Sequence, residues 1–197
     1  MTGPSTVVQG SADAMHPGSP QTCTQRVAVI GSGYRGKNLV RNFSSLGALA
    51  AVCDVDAETL QQLNQQYPTC RMVSTYSEVL NDPSIHAVAI ATPAETHAHL
   101  ALDALSAGKD VFVEKPLCLS EAEAHSLVTF ARENKRILMV GHLLWYHPAV
   151  LKLKELIDSG ELGRIQYIYS FQCQIEREAP SLNGGAPLHL ILKVAAF

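Results

Sequence analysis

At 197 residues, with 47% hydrophobic and 17% charged side chains, the chain has a globular composition and room for one ordinary domain and part of a second. A formal charge of −3 supplies no general attraction to nucleic acid or to an anionic membrane, so neither is expected as a partner. No apolar run approaches the roughly 20 residues that span a bilayer, and five cysteines without a C-x-x-C pair or a secretory signal predict reduced thiols in a cytoplasmic protein.

Residues 1–25 are rich in Gly, Pro, Ser and Thr and have no apolar h-region, which predicts a disordered extension, or a misplaced start, without chemistry of its own. Val27 to Ile30 then reads as a short buried strand, followed by Gly31-Ser32-Gly33-Tyr34-Arg35-Gly36 and a helix to Leu46. A second apolar run, Ala48 to Cys53, ends on Asp54, 18 residues beyond Gly36. Strand, G-x-G-x-x-G turn, helix, strand and acid in this register form a dinucleotide-binding arrangement. Gly31 permits the tight turn, Gly33 clears a path for the pyrophosphate, and Gly36 lets the helix pack close. The amides at the helix start face the phosphates. Asp54 is positioned to accept from ribose hydroxyls and to repel a 2′-phosphate, which predicts NAD over NADP.

Further along, Asp56 caps a predicted helix from Ala57 to Tyr67, and Met72-Val73 is a short strand candidate. Tyr76 to Leu80 is a short helix, Ala87 to Ala91 a strand closed by Thr92-Pro93, and Glu95 to Ala107 a helix ended by Gly108. Val111 to Val113 is the next strand, with Glu114-Lys115-Pro116 at its carboxyl end. Ser120 to Glu123 spells an S-x-x-E capping box for a helix to Asn134, and Ile137 to Val140 a strand ending at Gly141-His142. A helix from Pro148, with Val150, Leu151, Leu153, Leu156 and Ile157 on its inner side, precedes a strand from Ile165 to Ser170. The alternation predicts an α/β fold, a doubly wound parallel sheet with ligands at the carboxyl ends of its strands. Beyond Phe171 no helical or strand period is sustained.

Three strand ends therefore converge on one crevice: Thr92-Pro93 with His97, then Glu114-Lys115-Pro116, then Gly141-His142. Two readings of Lys115 stand side by side. It is either an acid–base group beside a nicotinamide, or a surface lysine paired with Glu114. His97 and His99, two apart on a helix, cannot form a joint metal site, and no Cys/His cluster or H-E-x-x-H motif occurs, so no metal is expected. The absence of a G-x-S-x-G elbow and of a Ser-His-Asp order disfavours covalent hydrolysis.

Gly31 to Gly36, Cys53-Asp54-Val55-Asp56, Ala91-Thr92-Pro93 with His97, and Glu114-Lys115-Pro116 together resemble the Gfo/Idh/MocA oxidoreductases. Gly36 to Phe43, Gly141-His142-Leu143-Leu144, Tyr146 to Val150 and Ser159 to Gly163 extend the resemblance toward its UDP-N-acetylglucosaminuronate 3-dehydrogenase branch. It covers Arg26 to Ser170. The resemblance implies a Rossmann-type domain over 26–145 that binds NAD through Gly31, Ser32, Gly33, Tyr34, Arg35, Gly36, Asp54, Thr92, Pro93, His97, Glu114, Lys115 and His142. It implies catalysis by Lys115, a cis proline in the E-K-P motif, and oxidation of a sugar-ring hydroxyl by hydride transfer. In that branch the sugar is carried on UDP, serves cell-surface polysaccharide (lipopolysaccharide) biosynthesis, and full-length relatives are homo-oligomeric.

Arg35 stands where the branch has an aromatic residue. The segment after Ser170 departs further, and Ala186-Pro187-Leu188-His189-Leu190-Ile191 leaves His189 as a candidate remnant of the branch's catalytic histidine. Residues 146–197 then read as a linking helix and a truncated, incomplete α+β second domain, the product of a frameshift or sequencing error. On this reading the strand from Ile165 has no sheet to join, and the 197-residue chain has little or no dehydrogenase activity. The alternatives are a non-catalytic NAD-binding fragment and a different sugar or polyol dehydrogenase of the same family.

Overall fold

Four consecutive residues, Val27 to Ile30, are all buried, as expected for a strand covered on both faces rather than one. The computed structural model describes the backbone of residues 25–174 and 188–196 and the side chains of residues 25–166. The expected extension at the amino end lies outside these residues.

The chain runs β1 (Val27–Ile30), α1 (Gly36–Ser45), β2 (Leu49–Cys53), α2 (Ala57–Gln66), β3 (Arg71–Val73), α3 (Tyr76–Asn81), β4 (Ala87–Ile90), α4 (His97–Ser106), β5 (Asp110–Val113), α5 (Glu121–Glu133), β6 (Leu138–Val140), α6 (Pro148–Asp158), β7 (Ile165–Gln174) and β8 (Leu188–Ala196). The first six strands form one sheet in the order β3-β2-β1-β4-β5-β6. The pairs β1·β2, β1·β4, β2·β3 and β4·β5 are parallel. This is the doubly wound Rossmann order, whose direction of winding reverses between β1 and β4. By compactness the chain divides into residues 1–139 and 140–197.

Strand alternation distributes the core of the first unit. Ala28 and Ile30 pack on one face with Leu105 of α4 and Leu127 and Ala131 of α5. Val27 and Val29 pack on the other with Val40 of α1, Val52 of β2 and Leu63 of α2. Each such Val, Leu or Ile contributes about 1.5–3 kcal/mol by leaving water, so the two layers hold the strand ends in place from both sides.

Local signals behave as their chemistry predicts, with exceptions. The Asp56 side chain accepts from the Glu58 amide and caps α2, and Gly108, at φ +73°, terminates α4. Ser120 occupies the N-cap position of α5 without a side-chain cap bond, so the capping box is not made. Ala94 to Thr96 form a 3₁₀ turn, and α4 begins at His97 rather than at Glu95.

In the second unit, a 3₁₀ turn from Leu143 to Tyr146 precedes α6. None of the residues of α6 is fully buried; Val150, Leu153 and Leu156 of its expected inner side are half-buried, and Leu151 and Ile157 are 48% and 37% exposed. The strand from Ile165 does find a partner. β7 and β8 pair antiparallel, from Ile165 opposite Ala196 to Gln174 opposite Leu188. Leu188, Leu190, Leu192 and Val194 recur at a strand period of two, a pattern obscured because Ile191 and Ala195 put apolar residues on the other face as well. The expectation of an irregular, unpaired segment is corrected for residues 171–174 and 188–196.

Candidate dinucleotide site

The carboxyl ends of the strands are tied together one residue beyond each ladder. The Gly31 amide donates to the Cys53 carbonyl at 2.8 Å, Ala91 to Ile30 at 2.8 Å, and Glu114 to Ile90 at 2.9 Å. Over these ends lies a cleft of about 780 Å³, lined by Gly31, Gly33, Arg35, Asp54, Thr92, Pro93, His97, Glu114 and Lys115 among others. It sits where β1 and β4 part, the place at which open α/β sheets take their ligands.

Each glycine of the loop answers to a separate constraint. Gly31 has φ +80°, and a Cβ there would meet Thr92 Cγ2 at 2.9 Å. A Cβ on Gly36 would stand 2.0 Å from the Gly31 carbonyl oxygen, so the start of α1 is pressed against the loop's own first residue. At Gly33 nothing lies within 4 Å, which leaves an open approach to the backbone. The Lys37 amide turns back to the Gly33 carbonyl at 3.0 Å. Among the described residues, the amides of Gly33, Tyr34, Arg35 and Gly36 meet no backbone carbonyl and remain available to an anion.

Ser32 does not line the cleft. It is fully buried behind the loop, where its amide (2.7 Å) and its hydroxyl (2.5 Å) both donate to Asp54 Oδ2. The Asp56 amide donates to Oδ1 at 3.0 Å. Burial works against the Asp54 carboxylate, and the hydrogen bonds from Ser32, Asp56 and Val55 overcome it, holding its pKa below the ordinary 3.8. Tyr34, by contrast, is 89% exposed and turned away from the cleft lining.

At the other end, Glu114 is buried and its Oε2 has no hydrogen-bond partner. The Arg35 guanidinium lies 3.7 Å from it, an ion pair in distance but not a hydrogen bond. Lys115 is exposed on the same turn, and the Lys115–Pro116 peptide is cis. His97 is buried, with Nδ1 2.7 Å from the Pro116 carbonyl and Nε2 2.9 Å from the Thr92 carbonyl. Carbonyl oxygens only accept, so one ring N–H donates to one of the two and the tautomer decides which; either way both nitrogens face backbone and neither is turned to the cleft.

Two further expected residues belong to the second unit. His142 belongs to the second unit, at the start of its 3₁₀ turn. His189 is in β8, opposite Cys173, and its side chain is outside the described residues. The cleft also recruits residues that the motifs do not mark, including Val55, Ser74, Tyr76, Thr96, His99 and Leu100. They follow β2, β3 and β4, and position after a strand end was the available signal. Tyr76 donates to the Leu100 carbonyl at 2.7 Å, and burial drives its phenol well above the ordinary range. Among the described residues no group of His, Cys, Asp and Glu could hold a metal ion, and no helix is long and apolar enough to cross a membrane.

Reversed strand order, glycine loop, half-buried acid at the end of β2 and open cleft together define a dinucleotide-binding domain. The chain belongs to the Gfo/Idh/MocA oxidoreductases, the family described as "Oxidoreductase family, NAD-binding Rossmann fold", which it matches over residues 25–142. It is 35% identical over 150 residues to scyllo-inositol 2-dehydrogenase (NAD(+)) of Bacillus subtilis strain 168, covering 74% of this chain and 44% of that one. To inositol 2-dehydrogenase of Salmonella typhimurium strain LT2 it is 31% identical over 146 residues, covering 72% and 44%. Among solved structures, GenD2 from gentamicin A biosynthesis, in complex with NAD, superposes with a TM-score of 0.72 at 29% identity, over 80% of this chain and 46% of that one. The chain thus spans less than half the length of these relatives.

Proposed function

We propose that this chain is the cofactor-binding part of an NAD-dependent dehydrogenase that oxidises a secondary ring hydroxyl of a cyclic polyol or sugar. The observation that carries the reading is the placement of Lys115 and Glu114 on the wall of the same cleft as the glycine loop and Asp54. The residues fit the cofactor. Gly31, Gly33 and the free amides at the start of α1 suit a pyrophosphate, Asp54 keeps an acceptor for a ribose hydroxyl, and the unpartnered Glu114 Oε2 marks a polar position at the nicotinamide end. Bound NAD supplies the hydride acceptor. Lys115 Nζ takes the hydroxyl proton as the C–H bond breaks, the role of a positioned general base. Arg35 and Glu114 orient the turn that carries it.

The named substrates of two relatives are inositols, and this supports a cyclic polyol as the first choice. UDP-N-acetylglucosaminuronate, in cell-surface polysaccharide synthesis, is the narrower second reading. It is favoured by the sequence of Gly36 to Phe43, Gly141 to Leu144, Tyr146 to Val150 and Ser159 to Gly163, and no relative compared above bears a nucleotide-sugar name. The test is NADH formation by the purified chain with myo-inositol, scyllo-inositol and UDP-N-acetylglucosaminuronate, alongside NADH binding by fluorescence. Turnover of one inositol supports the polyol reading, and turnover of the UDP-sugar alone supports the second. In the chain alone, NADH binding without turnover is what a cofactor-binding part gives; the same result in a full-length protein that carries this domain overturns both and leaves a binding module.

A further inference from the structure

A carboxylate offers about four acceptor sites, two on each oxygen. In Asp54 both sites on Oδ2 are filled by Ser32, one by its amide and one by its hydroxyl, and the Asp56 amide fills one on Oδ1. Oδ2 is thereby committed to Ser32, and what is left for a ligand is on Oδ1, in a residue that lines the cleft. Ser32 is fully buried, so its hydroxyl has no water to turn to and stays on Asp54. Without that hydroxyl backbone amides alone hold the carboxylate, and Oδ2 regains an open acceptor that competes with Oδ1 for the ligand.

Resting on the NAD reading of the cleft, we propose that Ser32 is the residue that sets dinucleotide specificity. It fixes the Asp54 carboxylate so that Oδ1, rather than Oδ2, meets a hydroxyl of the adenosine ribose, an interaction that a 2′-phosphate cannot make. The negative charge of Asp54 excludes NADPH, whereas Ser32 secures the gain for NADH. Ser32 acts through Asp54 and is a positioning residue.

Ser32→Ala removes the hydroxyl, adds no atom to a packed position and keeps the backbone donor. Dissociation constants for NADH and NADPH are measured by fluorescence titration in the parent, Ser32→Ala, Asp54→Asn and the double variant, with thermal melting to confirm folding. The NADH constant should rise about 3- to 10-fold in Ser32→Ala, the factor that one hydrogen bond of ordinary net strength represents. The NADPH constant should stay within about twofold, so that selectivity falls. In the Asp54→Asn background, Ser32→Ala should weaken NADH no further, because the two residues act as a unit. Equal weakening of NADH and NADPH, or additive losses in the double variant, would overturn the proposal and leave Ser32 as a loop-packing residue. Failure of the folded parent chain to bind either dinucleotide would overturn the cofactor reading and this proposal together.

Discussion

Gly36→Ala isolates the close approach between the start of α1 and the glycine loop. The added Cβ would lie 2.0 Å from the Gly31 carbonyl oxygen and 2.8 Å from its carbonyl carbon, both backbone atoms that cannot rotate aside. Overpacking of this kind costs about 1–3 kcal/mol. The helix propensity gained by replacing glycine offsets at most about 1 kcal/mol, and less here, because Gly36 is the first helical residue. A net loss near 2 kcal/mol lowers the melting temperature on the order of 5–10 °C. NADH binding should fall with it, because relieving the overlap displaces the loop amides. Gly33→Val is the companion variant, since a Cβ there meets no protein atom within 4 Å. It should melt like the parent and yet bind NADH roughly tenfold more weakly or worse, a loss of about 1.4 kcal/mol. Thermal melting and NADH fluorescence titration on both variants separate the two effects. A Gly36→Ala chain that melts and binds as the parent does would refute the reasoning.

Other perturbations probe the remaining parts of the site. Lys115→Ala, made in a full-length protein that carries this domain, should keep NADH affinity within severalfold and remove roughly 10²–10⁴ of the turnover rate; steady-state kinetics with the best substrate of the panel checks it, and full turnover would return Lys115 to a surface role. His97→Ala opens a cavity and leaves the Thr92 and Pro116 carbonyls without their ring contacts, at a cost of about 2–4 kcal/mol in urea unfolding. His97→Asn, which keeps a donor at the Nδ1 position, should recover part of that loss, and parent-like stability of the alanine variant would show that the ring ties nothing together. Burial pushes the Cys53 and Cys70 thiols up to about 11, so both should resist iodoacetamide in the native chain near neutral pH and react on unfolding, as peptide mass spectrometry can read. For Asp54 the folded chain holds the proton less tightly than the unfolded one. Its stabilising contribution is complete above the ordinary 3.8 and is lost as pH falls through the lowered folded value. Asp54→Asn should flatten that acid limb, and an unchanged limb would place the effect on other carboxylates.

The sequence by itself determined the alternation of strand and helix, the dinucleotide loop, the acid at the end of β2 and the position of Lys115. These are legible because periodicity, turn chemistry and strand-end position are carried by residues close together in the chain. Tertiary structure alone decided which of the marked residues face a ligand. Ser32 and Asp54 are 22 residues apart, and His97 and Pro116 are 19 apart. No local pattern says that the first pair closes behind the loop, or that the second sets the histidine ring against a backbone carbonyl. Lys109 shows the same thing away from the cleft. It reads as an ordinary surface lysine, yet it is buried with Nζ on the carbonyls of Asp82 and Ile85. The pairing of β7 with β8 also needed the fold, because the partner of a strand is set by register through space and not by the strand's own sequence. Hydrogen-bonding capacity is a property of the residue, whereas the partner that consumes it is set by distances through space, which chain order does not encode.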